Sequence, residues 1–97
     1  PLRFLPAALD DLDEIRAHVA RGNPAAATAL VDRLLGSLTI LMTHPEAGEA
    51  RPGVGRGIRG VLEPPYLIFY RVEAEGVLVI RILHGARRIT RRLLKGG

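Results

Sequence analysis

Two helical patterns joined by only two residues constrain this fold more than any other feature. The first pattern places four apolar residues on one helix face at spacings of three and four: Leu9, Leu12, Ile15 and Val19. The second begins at Asn23 and Pro24, a side-chain cap followed by a preorganised first helical position. Because only Gly22 and Asn23 lie between the patterns, the sequence predicts an antiparallel helical hairpin over residues 6–44.

The apolar stripe of the second helix is wider than one contact with a sheet requires. It comprises Ala27, Leu30, Val31, Leu34, Leu35, Leu38, Leu41 and Met42. Either this helix is buried on two sides, or part of the stripe is covered by a partner.

Three apolar segments in the second half predict a β-meander over residues 58–83. Residues 58–62, 66–72 and 77–83 are separated by only three and four residues, which suits adjacent antiparallel strands. Residues 2–5 predict an opening strand, and the Gly- and Pro-rich residues 45–57 predict a loop. The 97 residues therefore predict one α+β domain over residues 1–97, ordered β-αα-βββ, with the hairpin on one face of a small antiparallel sheet.

Side-chain alternation assigns the faces of the predicted strands. The face towards the helices should hold Tyr66, Ile68, Tyr70, Val72, Leu78, Ile80 and Ile82. The opposite face should hold Arg59, Arg71 and Arg81, one on each meander strand, with Phe69 and other apolar neighbours. A face of this composition is too apolar to be left bare, so we expect a partner to cover it.

The charge of +4 is unevenly distributed along the chain. Residues 1–50 carry four arginines and seven acids, whereas residues 51–97 carry ten basic residues and three acids. The segment 86–97 is the most basic, with Arg87, Arg88, Arg91, Arg92 and Lys95. This asymmetry indicates either an anionic partner or a solvated, solubilising surface.

The residue content also excludes several classes of site. Without cysteine the chain can have no disulfide scaffold, thiolate zinc site or cysteine catalysis, and its three histidines, at 18, 44 and 84, are scattered. We therefore expect no metal and no cofactor. We read no apolar run of membrane-spanning length and no secretion signal, so we expect a cytoplasmic protein without a membrane partner.

Four stretches, in order, resemble the ParE-type toxins of the RelE/ParE superfamily of bacterial type II toxin–antitoxin modules. They are residues 5–15 (LPAALDDLDEI), residues 23–27 (NPAAA) with Leu34 and Leu35, residues 66–72 (YLIFYRV) and residues 79–87 (VIRILHGAR). One departure is Leu5, where many relatives carry a serine that caps the first helix.

The resemblance implies the same β-αα-βββ, RelE/ParE-like fold, together with a cognate ParD-like antitoxin in the bacterial cytoplasm. It implies a hetero-oligomer that contacts operator DNA only through the antitoxin. We assign antitoxin binding to Leu30, Val31, Leu34, Leu35, Arg59, Phe69, Arg71 and Arg81. We assign target binding to the basic residues 87, 88, 91, 92 and 95.

Two activities occur among similar toxins: RelE-like members cleave mRNA in the ribosome, and ParE-like members poison DNA gyrase without catalysing a reaction themselves. Ribonuclease chemistry needs a base, an acid and cations for the phosphorane charge. The candidates here are Arg59, Arg81 and His84, while Tyr70 should face the core and no aromatic residue follows it. We therefore predict a gyrase inhibitor that acts by binding. The alternatives are a ribosome-dependent mRNA endoribonuclease and a degenerate toxin that acts only in an autoregulatory complex.

Overall fold

The computed structural model describes residues 1–85, in which two helices pack on one face of a five-stranded sheet. The elements are β1 (Leu2–Phe4), α1 (Pro6–Gly22), α2 (Pro24–Thr43), β2 (Glu49–Ala50), β3 (Ile58–Glu63), β4 (Tyr66–Glu73) and β5 (Gly76–His84). The sheet order is β1-β5-β4-β3-β2. The predicted α+β architecture is confirmed, with two differences. The β1–β5 pair is parallel, so the sheet is mixed, and the predicted loop 45–57 contributes the short edge strand β2.

Local signals set the ends of both helices. Leu5 precedes α1 without a side-chain cap, and Pro6 occupies the first helical position, where its missing N–H costs no hydrogen bond. The Asn23 Oδ1 atom accepts a hydrogen bond from the Ala26 N–H at 3.1 Å and caps α2. Pro45 follows the last turn of α2 and prevents its continuation.

The main core lies between the helices and the sheet. Its buried members are Ala8, Ile15, Leu30, Leu34, Leu38, Leu41, Tyr66, Ile68, Tyr70, Val77, Val79 and Ile82. By length and composition, α2 is a helix that could cross a membrane. In this fold its leucines at 30, 34, 38 and 41 are buried and form one wall of the core.

A β-bulge in β5 reverses part of the predicted face assignment. Phe69 pairs with Arg81 and Tyr70 pairs with Val79, so Ile80 is an extra residue in β5. Val79 and Ile82 consequently pack in the helix-facing core, whereas Ile80 packs on the opposite face. The prediction that Leu78 and Ile80 face the helices is wrong, because one inserted residue exchanges the two faces of a strand.

The position of β3 also differs from the prediction. Arg59 lies opposite Tyr70, and Val61 lies opposite Ile68, so both share the face that the helices cover. Arg59 is therefore not on the outer face, as alternation within β3 had suggested. Alternation separates the two faces of a strand, but only the pairing with β4 decides which of them meets the helices.

The outer face carries a second apolar cluster. Ile58, Phe69, Ile80 and Leu83 are buried there, with Leu5, Val54 and Leu67 packed against them. The Arg51 guanidinium carbon lies 5.9 Å from the centre of the Phe69 ring, so the loop between β2 and β3 contributes to covering this face. Phe69 lies on the outer face as predicted, but it has no exposed surface, so the expectation that it is displayed there is wrong.

Candidate partner-binding surfaces and the predicted site residues

Arg81 is held by a buried carboxylate from α1. Its Nε atom donates to Asp11 Oδ2 at 2.7 Å and its Nη2 atom donates to Asp11 Oδ1 at 2.9 Å. The Ile82 N–H donates to Asp11 Oδ2 at 3.0 Å. The hydrogen bonds from its guanidinium to Asp11 raise the pKa of Arg81 above its ordinary value, although burial opposes the shift. Arg81 therefore fastens the bulge of β5 to α1 and does not project from the outer face as predicted.

Arg59 holds the chain that leaves α2. Its Nη1 atom donates to the carbonyl oxygens of Gly48 at 2.7 Å and Glu46 at 3.4 Å. Its Nη2 atom lies 3.7 Å from the Glu46 carboxylate. Because Arg59 lies on the helix-facing side of β3, its guanidinium reaches the loop that follows α2 and donates to two backbone carbonyl oxygens there.

Tyr70 also holds the loop that follows α2, through hydrogen bonds of its hydroxyl. Its hydroxyl donates to the Pro45 carbonyl oxygen at 2.7 Å and accepts from the Gly48 N–H at 2.8 Å. A methyl group on Gly48 would overlap the Tyr70 hydroxyl, so glycine is required for this close approach. The prediction that Tyr70 faces the core is confirmed, and its hydroxyl is occupied by structural hydrogen bonds.

A Tyr70→Phe variant should lose about 1–3 kcal/mol of unfolding free energy, because the buried Gly48 N–H and Pro45 carbonyl oxygen would lose their partner. Urea denaturation followed by circular dichroism measures the change. Tyr66→Phe is a matched control, since the Tyr66 hydroxyl makes no hydrogen bond within residues 1–85. Equal stability of the two variants would contradict the role assigned to Tyr70.

His84 lies at the end of β5 beside an open groove of about 490 Å³. Its ring meets the Tyr66 ring edge-on, with centres 5.5 Å apart. The same groove is lined from α1 by Glu14, His18 and Arg21. Within residues 1–85, no three His, Cys, Asp or Glu side chains form a group that could hold a metal ion.

The predicted antitoxin-binding residues of α2 divide between the core and the surface. Leu30 and Leu34 are buried against the sheet, so they belong to the part of the stripe that the protein's own core covers. Val31 is half-buried, and Leu35 is 40% exposed. Val31, Leu35 and the exposed Met42 share one helix face, because they are four and seven residues apart. We call these three residues the α2 apolar face.

A basic groove lies beyond the C-terminal end of α2. Arg56, Arg59 and Arg71 line it with Pro45, Glu46, Gly57 and Val72, around a volume of about 680 Å³. We call these seven residues the arginine groove. Arg71 was predicted on the outer face of the sheet, and it is exposed there opposite Ile58. Its role in antitoxin binding stays a prediction, as do the roles of the other residues named for that function.

The residues predicted to bind the target, Arg87, Arg88, Arg91, Arg92 and Lys95, lie outside the described residues. Their role also stays a prediction.

Residues 2–89 match the model of the family described as the ParE toxin of the type II toxin–antitoxin system, parDE. The chain belongs to the ParE toxin family. This ParE-family toxin is 36% identical over 80 residues to "Toxin RelE2" of Caulobacter vibrioides, covering 82% of this chain and 89% of that toxin. It is 29% identical over 86 residues to "Toxin ParE3" of the same organism, covering 88% of this chain and 86% of that toxin.

Solved structures share the architecture. The chromosomal ParDE toxin–antitoxin system of P. aeruginosa superposes with a TM-score of 0.72 at 28% identity, over 86% of this chain and 92% of that chain. The RelBE2 toxin–antitoxin complex of Mycobacterium tuberculosis superposes with a TM-score of 0.58 at 24% identity, over 86% and 94% of the two chains, and shares the fold. Because relatives carry both ParE and RelE names, the names do not separate gyrase inhibition from mRNA cleavage.

Proposed function

We propose that this ParE-family toxin arrests growth by binding DNA gyrase, without cleaving RNA, and that a ParD-like antitoxin neutralises it. One observation carries the proposal: three of the groups that ribonuclease chemistry could recruit are engaged in internal contacts. Arg81 pairs with Asp11, Arg59 holds backbone carbonyl oxygens, and the Tyr70 hydroxyl bridges Pro45 and Gly48.

The pairing of Arg81 with Asp11 weighs most against catalysis. A cation stabilises a phosphorane only if its charge is directed at the developing negative charge. The Asp11 carboxylate already neutralises Arg81, and both side chains are at most 13% exposed. Separating such a pair leaves uncompensated buried charge, which is strongly unfavourable.

Two features support an antitoxin partner. The similar solved structures are described as toxin–antitoxin systems or complexes. The α2 apolar face presents Leu35 and Met42, which are 40% and 48% exposed, at the helical spacing that an amphipathic helix can cover. Any contact with operator DNA would then be made through the antitoxin.

One observation favours a ribosome-dependent endoribonuclease as the second candidate. The groove beside His84 brings a second imidazole, that of His18, and the Glu14 carboxylate to one open surface. These residue types can act as general acid and base. A degenerate toxin within an autoregulatory complex has no comparable observation in its favour.

Purified toxin should inhibit gyrase supercoiling and increase cleaved gyrase–DNA complexes. It should leave translation and mRNA intact in a parallel cell-free assay. Addition of antitoxin should restore supercoiling, and this is the control for nonspecific inhibition by a basic protein. Cleavage of mRNA without an effect on gyrase would contradict the proposal and favour the second candidate. Inactivity in both assays would favour the degenerate toxin.

A further inference from the structure

The arginine groove concentrates positive charge, and of its three arginines Arg59 is the one that holds the described fold together. Within residues 1–85, Arg56 and Arg71 make no hydrogen bond or ion pair. The Arg71 side chain passes over Gly57, whose φ of +73° favours glycine. Glu46 is the groove's one acidic residue, so its three arginines leave an excess of positive charge.

The contacts in this groove favour a carboxylate ligand. Guanidinium groups bind carboxylates through paired, charge-assisted hydrogen bonds. Glu46 already places a carboxylate 3.7 Å from Arg59, and its side chain is 85% exposed, so an incoming carboxylate can replace it. Val72 is 43% exposed and adds an apolar contact beside the arginines.

A nucleic-acid strand fits the groove less well. None of its seven residues carries an aromatic ring for base stacking, which commonly supports binding of single strands. The combination of arginines, one exposed carboxylate and an aliphatic side chain therefore points to an acidic peptide segment.

The position of the groove indicates where such a segment would come from. Pro45 and Glu46 line the arginine groove and also an adjoining hollow with Ile40, Thr43 and His44 at the end of α2. Ile40 is 57% exposed in this hollow. We infer that an extended acidic segment of the antitoxin passes over the C-terminal end of α2 and places its carboxylates in the arginine groove. This inference rests on the antitoxin of the proposed function, and not on the identity of the toxin's target.

Binding of antitoxin to two double variants of the full chain tests the inference. Arg56→Gln/Arg71→Gln removes the unpaired charges of the groove, while Arg59 is kept because it also holds the loop. Arg16→Gln/Arg21→Gln makes the same charge change on exposed positions of α1. The groove variant should bind antitoxin at least about tenfold more weakly, with a smaller salt dependence, and the control should change less than about twofold.

A defined probe identifies the ligand class. A short fluorescent peptide of alternating glutamate and leucine should bind the wild-type chain and be displaced by antitoxin. The glutamine counterpart of the peptide should bind the wild-type chain at least about tenfold more weakly, and the glutamate peptide should bind the groove variant at least about tenfold more weakly.

Equal antitoxin affinity for wild type and groove variant would overturn this inference alone. A different result would be that oligo-dT displaces antitoxin from the wild-type chain and fails to bind the groove variant. That result would also overturn the inference, because it would indicate that the groove binds nucleic acid. A wild-type chain that binds no antitoxin would overturn the proposed function as well.

Discussion

An Asp11→Ala variant should lose much of the stability of the fold. Asp11 is 7% exposed and accepts hydrogen bonds from the Arg81 guanidinium and the Ile82 N–H. Its removal leaves the Arg81 charge partly buried without this carboxylate, which typically costs about 3–5 kcal/mol. Because small domains are stable by only about 5–15 kcal/mol, the loss should be visible as a large fall in the urea midpoint.

Two further variants separate the ion pair from a general effect of mutating α1. Asp13→Ala removes an exposed carboxylate 3.8 Å from Arg16, and should change stability by less than about 0.5 kcal/mol. Asp11→Leu/Arg81→Met replaces both charges by apolar side chains, and should be more stable than Asp11→Ala because the Arg81 charge is removed together with its Asp11 partner. An Asp11→Ala variant as stable as Asp13→Ala would show that the pair contributes little.

The helical hairpin and the element order could be predicted because their signals are local. Asn23 caps α2 within three residues of its own position, and Pro45 ends it directly. The apolar spacing identifies the buried side of α2. On α1 it is correct for Ile15 but wrong for Leu9, which is 48% exposed. Such features need no knowledge of which segments pack together.

The faces of the strands could not be predicted from alternation alone. The extra residue Ile80 exchanges the faces of β5 partway along the strand, and nothing in its local composition distinguishes a bulged residue. Arg59 was assigned to the wrong face because that choice depends on pairing with Tyr70 in another strand. The assignment of three arginines to one outer surface therefore failed at Arg59. At Arg81, which lies opposite Phe69, it failed because the side chain pairs with Asp11 of α1.

The Asp11 contact was missed, although the sequence contains a signal for it. Asp11 follows Ala8 by three residues and precedes Ile15 by four, so it lies on the buried side of α1. An acid in that position requires a buried donor. The identity of the donor could not be deduced, because Arg81 is 70 residues away in the sequence. The hydrogen bonds of Tyr70 to Pro45 and Gly48 could not be predicted either, because these partners are also distant from Tyr70 in the sequence.

Substitution of His84 gives the sharpest distinction between the two candidate activities. A catalytic acid or base typically contributes about 10²–10⁴-fold in rate, so a ribonuclease that uses His84 should lose its toxicity in His84→Ala. A gyrase inhibitor should keep most of its growth inhibition, since the substitution removes a ring contact with Tyr66 and has mainly a stability effect. Expression and folding of the variant must be checked by immunoblotting and circular dichroism.

Deletion of residues 86–97 should abolish growth inhibition if the toxin acts by binding. The segment holds five of the chain's fourteen basic residues, and no acid. Residues 1–85 already form buried clusters on both faces of the sheet, so we expect the truncated chain to fold. A full-length variant with glutamine at positions 87, 88, 91, 92 and 95 tests the charges without shortening the chain. Both variants should fail to arrest growth or inhibit gyrase while His84→Ala remains toxic. A folded truncated chain that still arrests growth would refute the assignment of target binding to this segment. Loss of both toxicity and mRNA cleavage in His84→Ala would favour the ribonuclease.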